Sequence, residues 1–505
     1  MKYFILHTSS YILYNALVAR VIMVYPFTGL DIKGVSVWLP LAILQVASTI
    51  VNDFDVVVID QRVDDHWEAS LRKAITDDTV CVAISSMTGT QIKGGLAASR
   101  VVRDVNPDLK IVWGGNHPTL VPESTVRHAM VDIVVMGEGE ATFRWLVEAF
   151  AGKGSWKDVP DIAYMDGDRV VKNGTGTDPK RFVKQDDMPP LPYHLVDVEQ
   201  YISGPMLFGK QMRSLPYISS QGCPYSCTFC CQPVLSSRRW RRQAPELLLE
   251  RTLEMKQKFN LDAIEFHDEE FFVDRKRGAK VAEMIGGQYE WYVQTRMDDV
   301  LAMDCDHLYR NGLRVVQPGL ETGSARILDM IKKEETLDEF YAANKKLAAS
   351  GIRSTYNFMM GYPTETIEDL TATVDLALRL LDENPHASVS GFYVYVPYPG
   401  AELFKLAVQD GFEEPATLEG WSVFNRQHLA SPWIQSRRNT LEMLLFTSKF
   451  IDGTRLKRTF QGNPLVASGI SFFSWIYRNR WRKHNFSKTL DIDLLSYAAK
   501  KAFNW

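Results

Sequence analysis

Apolar residues follow two different spacings along the first 400 positions of the chain. Short runs rich in valine and isoleucine, such as Val56-Val57-Val58-Ile59, alternate with stretches in which apolar residues recur every three or four positions. The first spacing predicts buried strands and the second predicts helices. In the first 150 residues the predicted strands are 21–25, 56–60, 80–84, 110–113 and 132–136. This alternation predicts an α/β fold with a doubly wound, Rossmann-like parallel sheet.

The same alternation returns after residue 213 and predicts a second parallel sheet. Its predicted strands are 217–220, 263–267, 291–295, 315–318, 354–360 and 391–396. Six βα units of this kind predict a partial (βα)6 barrel of the TIM type, with its active site at the carboxyl ends of the strands. The residues after 412 predict a mainly helical region.

The segment between the two predicted sheets has the pattern of a connector. Residues 162–173 alternate around Asp166-Gly167, which predicts a hairpin, and the proline-rich residues 188–192 predict a stiff extended linker. The predicted organisation is a first domain, a linker with a hairpin, a barrel domain and a helical C-terminal region. Their predicted limits are 1–153, 154–212, 213–412 and 413–505.

Composition narrows the class of protein. A chain of 505 residues exceeds one ordinary hydrophobic core. Its hydrophobic content of 46%, charged content of 23% and net charge of -4 argue against disorder and against a mainly electrostatic nucleic-acid binder. No uninterrupted apolar stretch reaches about 18 residues, so no membrane-spanning helix is predicted. The first 20 residues lack the small-residue cleavage site of a signal peptide, and we expect a cytoplasmic protein.

Three clustered cysteines are the main candidate for chemistry. They lie in the run Cys223-Pro224-Tyr225-Ser226-Cys227-Thr228-Phe229-Cys230, and no fourth cysteine follows at ferredoxin spacing. Clusters that only transfer electrons are usually closed by four cysteines. Three thiolates therefore favour a cubane iron-sulfur cluster in which one iron keeps an exchangeable position.

A closed zinc site is the alternative interpretation, because Cys231 follows Cys230 directly and zinc favours four thiolates. Successive side chains of an extended segment point to opposite sides, which makes adjacent cysteines poor co-ligands. Cys81 and Cys305 are single and distant, as expected in a reducing compartment rather than in a disulfide scaffold.

The cysteine spacing resembles the signature of the radical S-adenosylmethionine (SAM) enzymes. The resemblance implies that Cys223, Cys227 and Cys230 hold a 4Fe–4S cluster, that SAM occupies the open iron, and that Phe229 lies near its adenine. The loops after the later predicted strands, at 267–272, 295–298, 317–324, 359–366 and 395–400, also have the form found in this family. They imply further SAM contacts at Glu269, Arg296, Gln317 and Glu321. Glu365 is expected instead to cap the next helix.

The loops after the strands of the first predicted sheet contain no G-x-G-x-x-G motif, which argues against a dinucleotide. Their combination of a serine-rich turn, Gly-Gly-x-His-Pro-Thr and Gly-Glu-Gly-Glu resembles the cobalamin-binding domain that precedes many radical SAM cores. Ligands of such sheets bind outside the carboxyl ends of the strands. The cobalamin contacts implied by the resemblance are Phe27, Thr28, Ser85, Met87, Thr88, Gly114, Gly115, His117, Gly137 and Glu138.

The D-x-H-x-x-G motif of domains that ligate cobalt through histidine is missing from the loop after the first predicted strand. His66 follows the second strand, and we interpret it as a surface or helix-start residue. His117 lies in a corrin-contacting loop but in no cobalt-ligand motif. Our hypothesis is therefore a cobalt with no histidine on its lower face.

Together the two resemblances imply a cobalamin-dependent radical SAM methyltransferase. Such an enzyme forms a 5'-deoxyadenosyl radical and transfers a methyl group from methylcobalamin to an unactivated carbon of a small secondary metabolite, lipid or tetrapyrrole-like substrate. An external donor such as flavodoxin or ferredoxin would supply electrons. The alternatives are an oxidative cyclase of the anaerobic magnesium-protoporphyrin monomethyl ester cyclase type and a cobalamin-binding sensor without catalysis.

Two basic segments leave interpretations open. Residues 238–242 include four arginines, which the family commonly carries after the cluster loop, so we do not predict RNA binding. Residues 470–483 combine aromatic and basic side chains in the helical region. They predict either an ordinary buried helix, a helix at a membrane surface, or a cover over an anionic substrate.

Overall fold

The computed structural model describes residues 19–29, 31, 37–202, 208, 210, 212–424, 429–452, 464–487 and 492. The prediction about a signal peptide falls mainly on residues outside this set. The first sheet has seven strands in the order β2-β1-β3-β4-β5-β6-β7. Their bounds are β1 Arg20–Tyr25, β2 Asp55–Asp60, β3 Thr79–Ser85, β4 Lys110–Gly114, β5 Ile133–Val135, β6 Ile162–Asp166 and β7 Arg169–Lys172.

Strands β1 to β5 are parallel, which confirms the predicted doubly wound sheet. Both faces of this sheet are covered. Val21 and Met23 of β1 belong to one apolar cluster, and Ile22 and Val24 belong to another on the opposite face. The helices of this part are α1 Leu41–Ser48, α2 Trp67–Ala74, α3 Thr90–Val105, α4 Asn116–Leu120, α5 Pro122–Val126 and α6 Gly139–Phe150.

The connector is packed against both sheets. The predicted hairpin is present as β6 and β7, and β6 pairs antiparallel with β5, so the hairpin extends the first sheet. The proline-rich run then crosses α8, Pro245–Phe259, where Tyr193 donates a hydrogen bond to the sulfur of Met255 (3.0 Å). The predicted domain limits stay predictions.

The second sheet has six parallel strands in the order β15-β14-β13-β12-β11-β8. Their bounds are β8 Ser214–Tyr217, β11 Ala263–Phe266, β12 Glu290–Thr295, β13 Leu313–Glu321, β14 Arg353–Met360 and β15 Ala387–Val394, and the short strands β9 Ser220–Gln221 and β10 Arg241–Arg242 pair separately. The partial barrel is confirmed, but its first strand ends three residues before the predicted end. Pro216 is tolerated because β8 is an edge strand.

Alternate residues of β14 define the two surfaces of the barrel. Tyr356 and Phe358 are fully buried beneath the outer helices, whereas Thr355, Asn357 and Met359 are half-buried and line the lumen. The helices between and after these strands are α7 Gln232–Leu235, α8, α9 Arg275–Ile285, α10 Met297–Ala302, α11 Cys305–Arg310, α12 Ala325–Met330, α13 Leu337–Ser350, α14 Ile367–Glu383 and α15 Glu402–Gln409.

The C-terminal part is helical, as predicted, and contacts both sheets. Its helices are α16 Leu418–Trp421, α17 Arg438–Thr447 and α18 Pro464–Arg482. Trp421 packs in a core cluster of the first sheet, whereas Trp481 of α18 is buried on the barrel and donates to Thr447 (3.0 Å). Phe472 and Trp475 lie on the exposed side of α18, so this helix is buried on one face only. None of the described helices is long and apolar enough to cross a membrane.

Candidate functional site: the cysteine loop and the facing edges of the two sheets

The cysteine loop is held at both ends by short-range structure. Gln221 of β9 pairs with Arg241 of β10, and this ladder closes the segment 222–240. Gly222 begins the loop with a φ of +84°, and a side chain there would collide with the carbonyl oxygen of Arg239. Only glycine combines this conformation with so close an approach.

A buried carboxylate anchors the start of the loop. Asp268 is fully buried and accepts hydrogen bonds from the Ser219 amide (2.7 Å), the Ser219 hydroxyl (2.6 Å) and the Ser220 hydroxyl (2.6 Å). Arg277 donates to the Ser219 hydroxyl from the other side (3.0 Å). The residues before Cys223 are therefore fixed by charge-assisted hydrogen bonds.

The three cysteines share one half-buried environment. Burial raises the pKa of the Cys223 thiol to about 11, and burial followed by the neighbouring cysteines raises the pKa of Cys230. The pKa of Cys227 is raised by burial but lowered by the nearby Lys333 and Arg296. Among the described residues, no three histidine, cysteine or acidic side chains are placed so that they could together hold a single metal ion. Three soft thiols in one loop next to two cations nevertheless fit an iron-sulfur cluster, which needs thiolate ligands.

Cys231 has a different place from the triad. It is the residue that precedes α7, and its carbonyl oxygen accepts hydrogen bonds from the amides of Val234 and Leu235 (both 3.1 Å). Its backbone is thus part of the first helical turn after the loop.

Phe229 and Glu269 lie on two sides of the cysteine loop. The Phe229 ring contacts Tyr362 edge-on, with centroids 6.5 Å apart, and Tyr362 stacks on Tyr395 (5.6 Å). The hydroxyl groups of both tyrosines are buried and have no hydrogen-bond partner among the described residues. Glu269 is exposed, unlike its buried neighbours Asp268 and Glu270, and accepts a hydrogen bond from Gln232 (2.8 Å).

Arg296 is held by the protein through each of its three guanidinium nitrogens. Its guanidinium donates to the carbonyl oxygens of Lys333 (2.9 Å) and Glu334 (3.0 Å) and to Asp298 (3.0 Å). It also lies over the ring of Tyr225 inside the cysteine loop, 3.9 Å from the centroid. These contacts tie the loop after α12 to the cysteine loop.

Glu321 sits in a buried charge cluster beside the triad. Its carboxylate is 3.8 Å from the ammonium of Lys333, which is also 3.3 Å from Glu335. Burial raises the pKa of Glu321, although Lys333 opposes the shift. Gln317 lies deeper in the barrel, where it accepts from Tyr292 (2.7 Å) and donates to Asn357 (3.1 Å).

Some residues of the loops expected to contact cobalamin are accessible to a ligand, whereas others are packed against neighbouring backbone. Met87 is 44% exposed, Phe27 and Thr28 are half-buried, and a Cβ at Gly114 would make only an ordinary van der Waals contact with Val135 (3.9 Å). Gly115 and Gly137 are required by the protein itself, because side chains there would collide with backbone of the neighbouring segments. Ser85 and Thr88 are half-buried at the same edge.

The two candidate histidines have opposite environments. His66 precedes α2 and is exposed, as predicted. His117 is fully buried, with Nδ1 2.9 Å from the Thr88 hydroxyl and the ring edge-on to Trp421. Burial lowers the pKa of His117 to about 3, so its ring is neutral.

The carboxyl edges of the two sheets face each other. Trp38, which follows β1, packs edge-on against His267 at the end of β11, with ring centroids 5.8 Å apart. Glu138, which follows β5, forms a bidentate ion pair with Arg241. A cobalamin at the first edge and a cluster at the second would therefore share one space. The exposure of Met87 and the partial exposure of Phe27 and Thr28 fit a bulky ligand at the first edge.

The roles of several residues in this site were not predicted from the sequence. Lys333 and Glu335 belong to the charged run 332–335, which the structure places between α12 and α13, and this run was the only signal in the sequence for them. Arg241 was assigned only to a basic run, and its partner Glu138 was assigned to cobalamin. Glu365 was wrongly expected to cap α14, because Thr366 is the cap, while Glu365 accepts from the Gly361 amide (2.7 Å).

Two regions of the chain match known families. Residues 29–147 match the model of the B12 binding domain, and residues 217–377 match that of the radical SAM superfamily. An uncharacterised methyltransferase of Pyrococcus horikoshii is 28% identical over 77% of this chain and 83% of its own length. An anaerobic magnesium-protoporphyrin IX monomethyl ester cyclase of Rubrivivax gelatinosus is 28% identical over 70% of this chain, which spans only 62% of that enzyme.

A solved structure has the same fold. The cobalamin-dependent SAM radical enzyme OxsB, with aqua-cobalamin bound, superposes with a TM-score of 0.71 at 16% identity, over 96% of this chain and 76% of that one. One family match lies on each of the two sheets, and the fold is shared with a solved structure, so these findings agree on the family of the chain. The chain belongs to the cobalamin-binding radical SAM enzymes, whose cofactors are a 4Fe–4S cluster, SAM and cobalamin.

Proposed function

We propose that this protein is a cobalamin-dependent radical SAM methyltransferase that methylates an unactivated carbon of a small molecule. The observation that carries the proposal is the opposition of the two carboxyl edges, with Trp38 against His267 and Glu138 against Arg241. When bound, the cluster supplies the electron that cleaves SAM, and cobalamin carries the methyl group. The methyltransferase from Pyrococcus, which aligns over most of both chains, supports the same reaction class.

The site residues follow from this proposal. Cys223, Cys227 and Cys230 would hold the cluster, with Lys333 and Arg296 favouring the thiolate at Cys227. The exposed carboxylate of Glu269 would accept the SAM ammonium group, and Phe229 would contact the adenine. Arg296 would act through Tyr225 and the loop after α12 rather than on SAM directly, because each of its guanidinium nitrogens already donates to the protein and its plane lies over Tyr225.

We further propose that the enzyme works in the cytoplasm with an external electron donor such as flavodoxin or ferredoxin. An oxidative cyclisation is the second candidate function, favoured by the similarity to the Rubrivivax cyclase. A cobalamin-binding sensor is the third, and the complete cysteine triad argues against it.

Incubation of the reconstituted enzyme with methyl-labelled SAM, a reductant and an extract of the source cells separates these functions. Methyl transfer predicts label in a new product together with 5'-deoxyadenosine. Deoxyadenosine formed with a new, unlabelled product would support cyclisation or oxidation and contradict methyl transfer. The absence of both would support a sensor. The Cys227→Ala variant should lose cluster iron and both products, while retaining cobalamin.

A further inference from the structure

The lumen of the barrel contains hydrogen-bonding side chains from all six strands. We call this set the polar belt, and its members are Ser214, Glu265, Tyr292, Gln317, Asn357 and Ser390. The interiors of parallel barrels are usually filled by layers of branched apolar side chains. A polar layer therefore calls for a functional explanation.

The first half of the belt ends at a histidine. Glu265 is fully buried and accepts a hydrogen bond from the Ser214 hydroxyl (2.6 Å). Its other carboxylate oxygen lies 3.2 Å from Nε2 of His267, at the carboxyl end of the same strand. The His267 ring is held edge-on between Trp38 and Tyr292. Nδ1 of His267, for which the described residues offer no hydrogen-bond partner, is left for a ligand.

The second half of the belt is a continuous chain of hydrogen bonds. Tyr292 donates to Gln317 (2.7 Å), Gln317 donates to Oδ1 of Asn357 (3.1 Å), and the Ser390 hydroxyl donates to the same oxygen. These bonds fix the amide of Asn357 with its oxygen toward the neighbouring strands. Its Nδ2 donor is half-buried and is not used by any described residue.

The belt lies between an apolar floor and the cysteine loop. Phe208, Met212, Ala263 and Val315 form a buried cluster with the ring of Tyr292 and fill the lower lumen. Asn357 pairs in register with Gly319, two residues before Glu321. The belt, to which the expected SAM contact Gln317 belongs, therefore lies one layer below Glu321. A molecule bound on the belt would therefore lie directly beneath the site of hydrogen abstraction.

The charges of the belt limit the chemistry of its ligand. Its only carboxylate is paired with His267 and Ser214, and it contains neither lysine nor arginine. Such a site offers little to a phosphate or a carboxylate. An apolar ring system would leave the Asn357 amide and the His267 nitrogen buried without partners, which is unfavourable.

We propose that the polar belt binds an uncharged, hydroxyl- or amide-bearing part of the substrate. Resting on the proposed function, this assigns the substrate to hydroxylated small molecules rather than to tetrapyrroles or hydrocarbon-like lipids. Asn357 donates to a substrate oxygen, and His267, oriented by Glu265, makes a second hydrogen bond. The belt thereby places the carbon next to these polar groups under the radical.

Formation of 5'-deoxyadenosine tests this without knowledge of the product, because hydrogen abstraction is common to methyl transfer and cyclisation. The reconstituted holoenzyme is incubated with SAM, a reductant, and either a methanol–water extract or a hexane extract of the source cells. The methanol–water extract should increase deoxyadenosine formation, and the hexane extract should not. Stimulation by the hexane extract alone would overturn the proposal.

Matched variants on one strand connect the result to the belt. Asn357→Leu keeps the side-chain size but removes the donor, and about tenfold more extract should be needed for half-maximal stimulation. Thr355→Val, on the same face of β14 but outside the belt, should behave as wild type. The iron bound on reconstitution should equal that of wild type in both variants, which reports an intact cluster site.

Two outcomes separate this inference from the proposed function. If Asn357→Leu keeps the response to the methanol–water extract, the belt does not bind substrate, whatever the reaction. If Asn357→Leu loses the response but the product formed by the wild-type enzyme carries no methyl label, the belt assignment stands and methyl transfer is refuted.

Discussion

Arg241→Gln tests whether the two cofactor edges are held together by one ion pair. Arg241 donates to Glu138 in a bidentate arrangement, with Nη1 at 2.9 Å, and the same Nη1 donates to the carbonyl oxygen of Val183 (2.7 Å). Its guanidinium lies over the ring of Phe182, 4.7 Å from the centroid. One side chain thus joins the first sheet, the connector and the cluster loop.

The expected magnitude follows from burial. The side chains of Arg241 and Glu138 are 16% and 20% exposed. Removing one partner of a buried ion pair costs about 3–5 kcal/mol. Because each side chain retains some contact with water, we take the lower end, about 3 kcal/mol. In a unit of 150–250 residues this corresponds to a decrease in Tm of roughly 6–12 °C.

The loss should depend on pH in a defined direction. Burial, followed by the nearby Glu140, raises the pKa of Glu138 to about 7. Glu138 is therefore ionised and paired above this pH, and the stabilisation by the pair decreases as the pH falls through about 7. Without Arg241 the ionised carboxylate would be buried unpaired at pH 8, whereas at pH 6 it could take up a proton. The difference between wild type and variant should be larger at pH 8 than at pH 6.

Thermal unfolding of the reconstituted enzyme at both pH values measures this effect. Arg242→Gln is the control, because the neighbouring Arg242 is exposed. Dipolar broadening in EPR spectra between the reduced cluster and cob(II)alamin gives an independent readout, and it should weaken in Arg241→Gln only. Equal Tm values for the two variants at pH 8, or a larger loss at pH 6, would refute the reasoning.

Three further predictions concern single side chains. Asp268→Asn should lower the Tm and the iron bound on reconstitution, because the amide cannot accept all three hydrogen bonds, at a cost of about 1.5–3 kcal/mol for each one lost. Burial raises the pKa of Glu365 to about 8, so its contribution to stability is lost as the pH rises from about 4.5 to about 8, and Glu365→Gln should gain Tm relative to wild type over that range. Gly89→Ala should destabilise by more than about 1 kcal/mol, because a Cβ there collides with the Phe424 carbonyl oxygen and φ is +109°.

Each of these predictions has a control in the chain. Glu269→Gln, next to Asp268 but exposed, should retain the iron content. Gly152→Ala shares a positive φ but has open space around it, so it measures backbone strain alone. A parallel pH profile for Glu365→Gln and wild type would contradict the burial argument. Equal losses for the two glycine variants would contradict the proposed clash.

The local pattern of the sequence determined the architecture. Apolar runs with β-branched residues predicted both parallel sheets, because strands buried on two faces need such residues regardless of their neighbours. The spacing of Cys223, Cys227 and Cys230 indicated the candidate cluster, because the ligands of one loop are set by local chain geometry. The misplaced first barrel strand shows the limit of local rules, since the tolerance of Pro216 depends on the edge position of β8.

Only the tertiary structure decided which polar side chains meet. Glu138 and Arg241 are 103 positions apart, and their pairing follows from the opposition of the two sheets. The polar belt likewise takes one residue from each of six strands, and strand order and register bring them to one level. The sequence marks these residues only as polar positions. Their partners, burial and charge balance depend on contacts between distant segments, and therefore on the folded chain.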